Sequence, residues 1–137
     1  MIKFCLQILA ISTPAIFYMG CQLPERSEIV GTYVNNHPYA YDTMYVNDNG
    51  TYVNNIYLKS EKKKYVNKGN WAYEDGQVHF HDYANYIEQY GVVGMKGVWI
   101  SNVDEKNGRI ALVVSSDEDF YFSKIDPWTS DESGGWG

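Results

Sequence analysis

Hydrophobic and polar residues alternate along most of the chain between residues 29 and 125, which is the period of strands half buried in a sheet. Short runs rich in Asn, Asp and Gly separate the alternating segments, and such runs favour tight hairpin turns. The predicted strands span residues 29–35, 42–47, 51–58, 65–73, 77–83, 98–103, 109–115 and 120–125. Eight short strands joined mostly by tight turns predict an all-β fold, an antiparallel up-and-down meander closing into a small barrel.

The two-residue period assigns one set of side chains to the barrel interior. This inward set is Ile29, Gly31, Tyr33, Met44, Val46, Tyr52, Ile56, Leu58, Trp71, Val78, Phe80, Ile110, Leu112 and Val114. Many of these side chains are large, so we expect a crowded interior. Segment 85–97 is predicted as a loop or short turn, because three glycines interrupt its helical spacing.

The amino terminus carries a different pattern. Lys3 is followed by an almost uncharged run, residues 4–19, which is typical of a signal peptide. The run contains Pro14 and is shorter than the roughly 20 apolar residues that a membrane-spanning helix needs.

The small residue Gly20 stands directly before Cys21, and this pair resembles the lipobox of bacterial lipoproteins. In that family the cysteine thiol receives a diacylglyceryl group and the cysteine becomes the new amino terminus. The resemblance implies a signal peptide over 1–20, a lipid anchor on Cys21 and a tether over 21–28. Because Gln22 and not aspartate follows the cysteine, it also implies an outer-membrane lipoprotein facing the periplasm or the cell surface.

The cysteine count agrees with this interpretation. Cys5 lies inside the segment that would be removed, so the mature chain keeps one cysteine, and an exported protein with a single thiol is unusual. Lipidation of Cys21 accounts for it. The alternatives are ordinary secretion with a free thiol and a leader that stays attached as an anchor.

The charge pattern narrows the class of partner. The chain has a formal net charge of −6, with acidic residues scattered among basic ones, so nucleic acid is not expected as a partner. The single basic cluster, Lys62 to Lys64, lies between two predicted strands. It predicts a solvated hairpin tip, with an anion-binding site as the alternative.

Three short motifs lie in the predicted strands: Ile29-Val30-Gly31-Thr32-Tyr33, Asn47-Asp48-Asn49-Gly50-Thr51-Tyr52 and Gly69-Asn70-Trp71. They resemble the small lipocalin-like domains of bacterial lipoproteins. The resemblance implies a calycin-type barrel over 29–126 that in some members binds small apolar ligands. Tyr33 stands where lipocalins have tryptophan, and no arginine follows the final strand. The polar, glycine-rich tail, residues 127–137, is predicted to be disordered.

Candidate catalytic and metal-binding residues are few. His79 and His81 lie two apart on one strand and could share a zinc ion with His37, but Val78 and Phe80 take the inward positions. Solvated histidines are therefore the expectation. No nucleophile motif occurs, and the acidic pairs lie in predicted turns, so we expect no enzyme activity, no metal and no cofactor.

Tyrosine, at 13 residues, is the strongest remaining functional signal. Exposed tyrosine is a favoured contact residue because it buries a large area with little entropy loss. The sequence predicts a non-enzymatic binding module that contacts an envelope protein or glycan; the alternatives are a carrier of a small apolar ligand in the interior, and tyrosines that only cap the barrel. The candidate contact residues, assigned to the two longest loops, are Tyr39, Tyr41, Tyr83, Tyr86 and Tyr90.

Overall fold

A computed structural model of the protein describes residues 22–84, 86–87, 92–93 and 96–127. The predicted signal peptide, Cys21 and the tail beyond Pro127 lie outside the described residues. The elements are α1 (Arg26–Ile29), β1 (Gly31–Asn35), β2 (Ala40–Val46), β3 (Thr51–Leu58), β4 (Lys63–Glu74), β5 (Gln77–Tyr83), β6 (Tyr86–Ile87), β7 (Val92–Val93), β8 (Gly97–Lys106), β9 (Arg109–Ser115) and β10 (Phe120–Ile125).

Eight of the strands form a closed antiparallel barrel in the order β1-β10-β9-β8-β5-β4-β3-β2. Every neighbouring pair apart from β5–β8 and the closing pair β1–β10 is joined by a direct connection, so the predicted all-β meander barrel is confirmed. Segment 85–97 was predicted as a loop or short turn. It contains the strands β6 and β7, which pair with each other, and the start of β8.

An up-and-down order places alternate connections at opposite ends of the barrel. Residues 22–30 and the turns 47–50, 75–76 and 107–108 lie at one end, which we call the closed end. The connections 36–39, 59–62 and 116–119 lie at the other, together with the end of β5 and the start of β8, and we call it the open end.

The inward set predicted from the sequence is confirmed, because every non-glycine member except Val114 is buried. Val114 is exposed, so that prediction was wrong. The cause is a shift in register between β9 and β10: Ser115 lies opposite Phe120 and Val113 opposite Tyr121, which leaves Val114 as an extra residue. Such a bulge turns its side chain off the regular alternation.

The closed end is covered by residues that the sequence analysis assigned to the tether. Glu25 and Glu28 form a reciprocal capping box at the start of helix α1, which begins at Arg26, five residues after Cys21. Ile29 is therefore the last residue of a helix, not the first residue of a strand, and its side chain is fully buried. The guanidinium of Arg26 lies 4.5 Å from the ring centroid of Trp71, whose indole nitrogen donates a hydrogen bond of 2.8 Å to the carbonyl of Asn47.

A lysine of the final strand crosses the same end. Lys124 Nζ donates a hydrogen bond of 2.6 Å to the carbonyl of Glu28. Its side chain passes over Gly31, where an added Cβ would lie 2.6 Å from Lys124 Cε and where φ is +151°. The positive φ therefore favours glycine at position 31. The sequence analysis found no arginine after the final strand, but a lysine of that strand packs across this end of the barrel.

Candidate functional site

Two of the predicted contact tyrosines are exposed at the open end. Tyr39 lies in the connection before β2 and is 47% exposed, and Tyr41 points outward from β2 and is 49% exposed. Tyr86 lies in β6, and nothing is described of its side chain; Tyr90 lies outside the described residues.

Tyr83 is not a loop residue, and the prediction that it is an exposed contact residue was wrong. It ends β5, is 6% exposed and packs against Trp99, with ring centroids 4.8 Å apart. The register between β5 and β8 shifts between Phe80 and Tyr83, and Asp82 has a φ of +58°. The extra residue in this bulge turns Tyr83 into the interior.

Aromatic rings fill much of the barrel interior. Phe80 stacks on Trp99 at 5.0 Å and meets Tyr52 edge to face at 5.1 Å, while Phe122 lies 5.8 Å from Trp99. The hydroxyl of Tyr52 donates to the carbonyl of His81, and that of Tyr33 to the carbonyl of Ile29. Burial raises the pKa of Tyr52 to about 12 and raises that of Tyr33 further. This part of the interior is a packed core.

A short polar row lies across β2, β3 and β4 inside the barrel. Asn67 donates from its amide to Asn54 Oδ1 at 3.2 Å and to the carbonyl of Ala84 at 3.0 Å. Asn54 donates in turn to the carboxylate of Asp42, and all three side chains are buried. Apolar clusters flank the row on both sides: the aromatic core, and the group Ala40, Ile56 and Leu58. An apolar ligand entering here would have to meet buried amides and a carboxylate, which is unfavourable.

The histidines are placed separately. His37, at the open end, stacks on Phe120 at 4.6 Å and meets Tyr39 edge to face at 5.2 Å, and its own burial lowers its pKa. His79 and His81 lie on β5 outside the core that Val78 and Phe80 enter, as predicted. Among the described residues, no group of three or more acidic, histidine or cysteine side chains is arranged to hold a metal ion.

A face on the outside of the barrel combines tyrosines with lysines, and sequence reasoning missed it. Strand pairing places Tyr41 opposite Tyr57, and Tyr57 opposite Lys64. Two outward positions further along, Tyr45 lies opposite Val53, and Val53 opposite Lys68. Lys59 Nζ lies 4.3 Å from the ring centroid of Tyr41 and donates to the carbonyl of Pro38 at 3.0 Å. We call this the tyrosine–lysine face, formed by Tyr41, Tyr45, Tyr57, Lys59, Lys64 and Lys68.

Another surface feature is a cleft of about 70 Å³ on the outside of β8, β9 and β10. Lys106 lies within it and forms ion pairs with Asp104 at 4.0 Å and with Asp119 at 3.4 Å. The volume of this cleft is far below the roughly 300 Å³ at which ligand pockets usually begin.

No protein-family model, curated protein or solved structure matches this chain. Within the part of the chain that the structure describes, no helix has the length and apolar character needed to cross a membrane.

Proposed function

We propose that the protein is a lipoprotein of the bacterial cell envelope, a non-enzymatic binding module with a lipocalin-like barrel held at the outer membrane through Cys21. It contacts an envelope partner, protein or glycan, with exposed aromatic side chains at the open end. The observation that carries the proposal is the exposure of Tyr39 and Tyr41 at the end of the barrel opposite residues 22–30. A partner could reach these rings while the amino terminus stays at the membrane.

The interior supports the alternative, a carrier of a small apolar ligand, less well. Packed rings fill much of the interior, and the polar row of Asp42, Asn54 and Asn67 lies beside them. A tyrosine on the outside of the barrel can bind a partner without a cavity, because its rigid ring offers a large contact area and its hydroxyl can form a hydrogen bond to the partner.

Replacing Cys21 by serine tests the anchor. Without the thiol no thioether to a diacylglyceryl group can form, so the protein should leave the membrane fraction or accumulate with its leader attached. Fractionation and mass spectrometry of the native protein provide the measurement; Cys5→Ser is the matched control and should change neither result. A mature chain that begins elsewhere, or an unmodified thiol on Cys21, would contradict the anchor.

Replacing Tyr39 and Tyr41 by alanine tests the contact surface. The full chain, labelled and solubilised, should bind isolated envelope material, and the double variant should bind it at least about tenfold more weakly, as expected when large aromatic contacts are lost. Ile100→Ala is the control, because Ile100 is similarly exposed but lies further along β8, away from the open end. Equal binding by all three proteins would refute the proposed contact surface.

A further inference from the structure

The tyrosine–lysine face is basic on a chain that is acidic overall. Residues 59–68 contain Lys59, Lys62, Lys63, Lys64 and Lys68, five of the 11 basic residues of the chain, and only Glu61 of its 17 acidic residues. All five lysines are exposed, and Glu61 accepts a hydrogen bond of 2.7 Å from Tyr65. A concentrated positive patch on an acidic protein favours a negatively charged partner.

No carboxylate offsets this charge within the face. The outward positions of β2, of β3 and of β4 as far as Asn70 carry no Asp or Glu, because Asp42 points into the barrel. Between the two rows that end in Lys64 and Lys68 lies a third row, in which Thr43 is opposite Asn55 and Asn55 opposite Val66. The face therefore presents positive charge, aromatic rings and hydrogen-bonding groups together.

The spacing of the lysines indicates an extended ligand. Lys64 and Lys68 lie four residues apart on one strand, which separates their backbones by about 13 Å. A polymer with repeated negative groups matches this separation better than a single small anion does. The rings of Tyr41 and Tyr57 stack at 6.1 Å, and together with Tyr45 they offer flat apolar surface beside the charges.

We propose that the tyrosine–lysine face binds an acidic polysaccharide, a proposal that rests on the proposed function and names its partner class. Sugar rings can lie on the tyrosine rings, sugar hydroxyls can reach Thr43 and Asn55, and acidic groups can pair with Lys64 and Lys68. Lys59 is already oriented by its contacts with Tyr41 and Pro38.

An anionic bilayer is a less suitable occupant. Arg26, Trp71 and Leu23 mark the closed end, where the chain leads back to Cys21, and Leu23 packs against Gly76 there. Lys59 and Lys64 lie at or beside the connection 59–62, at the open end. A barrel anchored through Cys21 thus directs these lysines away from its own membrane.

Binding of defined polymers tests the inference on the full chain in detergent. Polygalacturonate, a polymer of uronic acid, should bind, and dextran, a neutral polymer, should not. Binding should weaken as salt shortens the screening length from about 10 Å at 0.1 M to about 3 Å at 1 M.

The double variant Lys64→Gln, Lys68→Gln should bind polygalacturonate at least about fivefold more weakly, as expected when two exposed charge pairs are lost. The control Lys106→Gln, Arg109→Gln removes the same charge from the β8–β9 hairpin and should bind as the wild type does. Equal melting temperatures of the variants and the wild type show that both fold.

Other results would overturn the inference. If the control Lys106→Gln, Arg109→Gln lost polygalacturonate binding to the same extent, binding would depend only on net charge and not on this face. Equal binding of duplex DNA, or binding of anionic vesicles that Lys64 and Lys68 control, would assign the face to polyanions in general or to a membrane. Weaker envelope binding on loss of Tyr39 and Tyr41, with no polygalacturonate binding, would leave the proposed function standing and remove only the acidic polysaccharide.

Discussion

Single residues at the closed end hold several segments together. Trp71 is buried, contacts the guanidinium of Arg26 and donates a hydrogen bond to the carbonyl of Asn47. One side chain thereby connects strand β4, helix α1 and the β2–β3 turn. Tyr33 and Tyr52 act similarly, since each buried hydroxyl donates to a backbone carbonyl.

Replacing Trp71 by alanine should lower the free energy of unfolding by about 3 to 5 kcal/mol, because it leaves a large cavity in the core. Chemical denaturation of the two proteins measures this difference. Trp71→Phe, which keeps much of the packed volume but loses the bond to Asn47, should cost less. A Trp71→Ala protein with an unchanged midpoint would contradict the role of this ring.

Stability should fall with rising pH above about 10. Burial raises the pKa of Tyr52 from 10.0 to about 12, so between these values the unfolded chain loses a proton that the folded chain retains. Below pH 10 the stabilisation from protonated Tyr52 is fully present. It is lost as the pH rises toward the pKa of Tyr52 in the folded protein. The free energy of unfolding, measured at several pH values above and below 10, gives the slope of stability against pH.

Tyr52→Phe removes one of these titrations and should make the alkaline slope shallower. The slope should not vanish, because burial raises the pKa of Tyr33 as well. The same slope in wild type and variant would show that Tyr52 ionises equally in both states.

At the scale of the elements, the strands follow the alternation of the sequence except at two bulges. One turns Val114 outward and the other turns Tyr83 inward. Close approach of strands also depends on glycine: a Cβ at Gly69 of β4 would lie 2.1 Å from the carbonyl oxygen of His81 and 2.9 Å from the Tyr52 ring.

Gly69→Ala should therefore lower the free energy of unfolding by about 1 to 3 kcal/mol, because backbone must move to admit the methyl group. Gly97→Ala is the matched control: no described atom lies within 4 Å of the added carbon. Thermal unfolding distinguishes the two, and a Gly69→Ala protein as stable as the control would show that β4 and β5 can separate at little cost.

The alternation predicted strands β3, β5, β9 and β10 to their observed bounds, because local turn residues and the period of two suffice for that. The alternation did not predict the inward position of the Tyr83 side chain, since a bulge changes side-chain direction without changing the local composition. The tyrosine–lysine face was also missed. Lys64 and Tyr41 are 23 residues apart in sequence and share a row only through the register of β2, β3 and β4.

At the scale of the whole molecule, the two ends of the barrel differ in chemistry. Helix α1, Trp71 and Lys124 cover one end with packed and hydrogen-bonded side chains. The other carries Tyr39, His37 and the lysines of the β3–β4 connection. The proposed attachment at the first end and the proposed recognition at the second agree with this difference, and the Cys21 and tyrosine variants test the two parts separately.

The pairing of β1 with β10 also bears on when the chain can fold. Thr32 lies opposite Ile125, so the ring cannot close until residue 125 has left the ribosome. Contacts this distant in sequence form slowly, because the entropy of a long loop must be lost first. If the proposed leader directs export, this late closure keeps the nascent chain unfolded, which is the state that a secretion channel requires, and the barrel assembles after translocation.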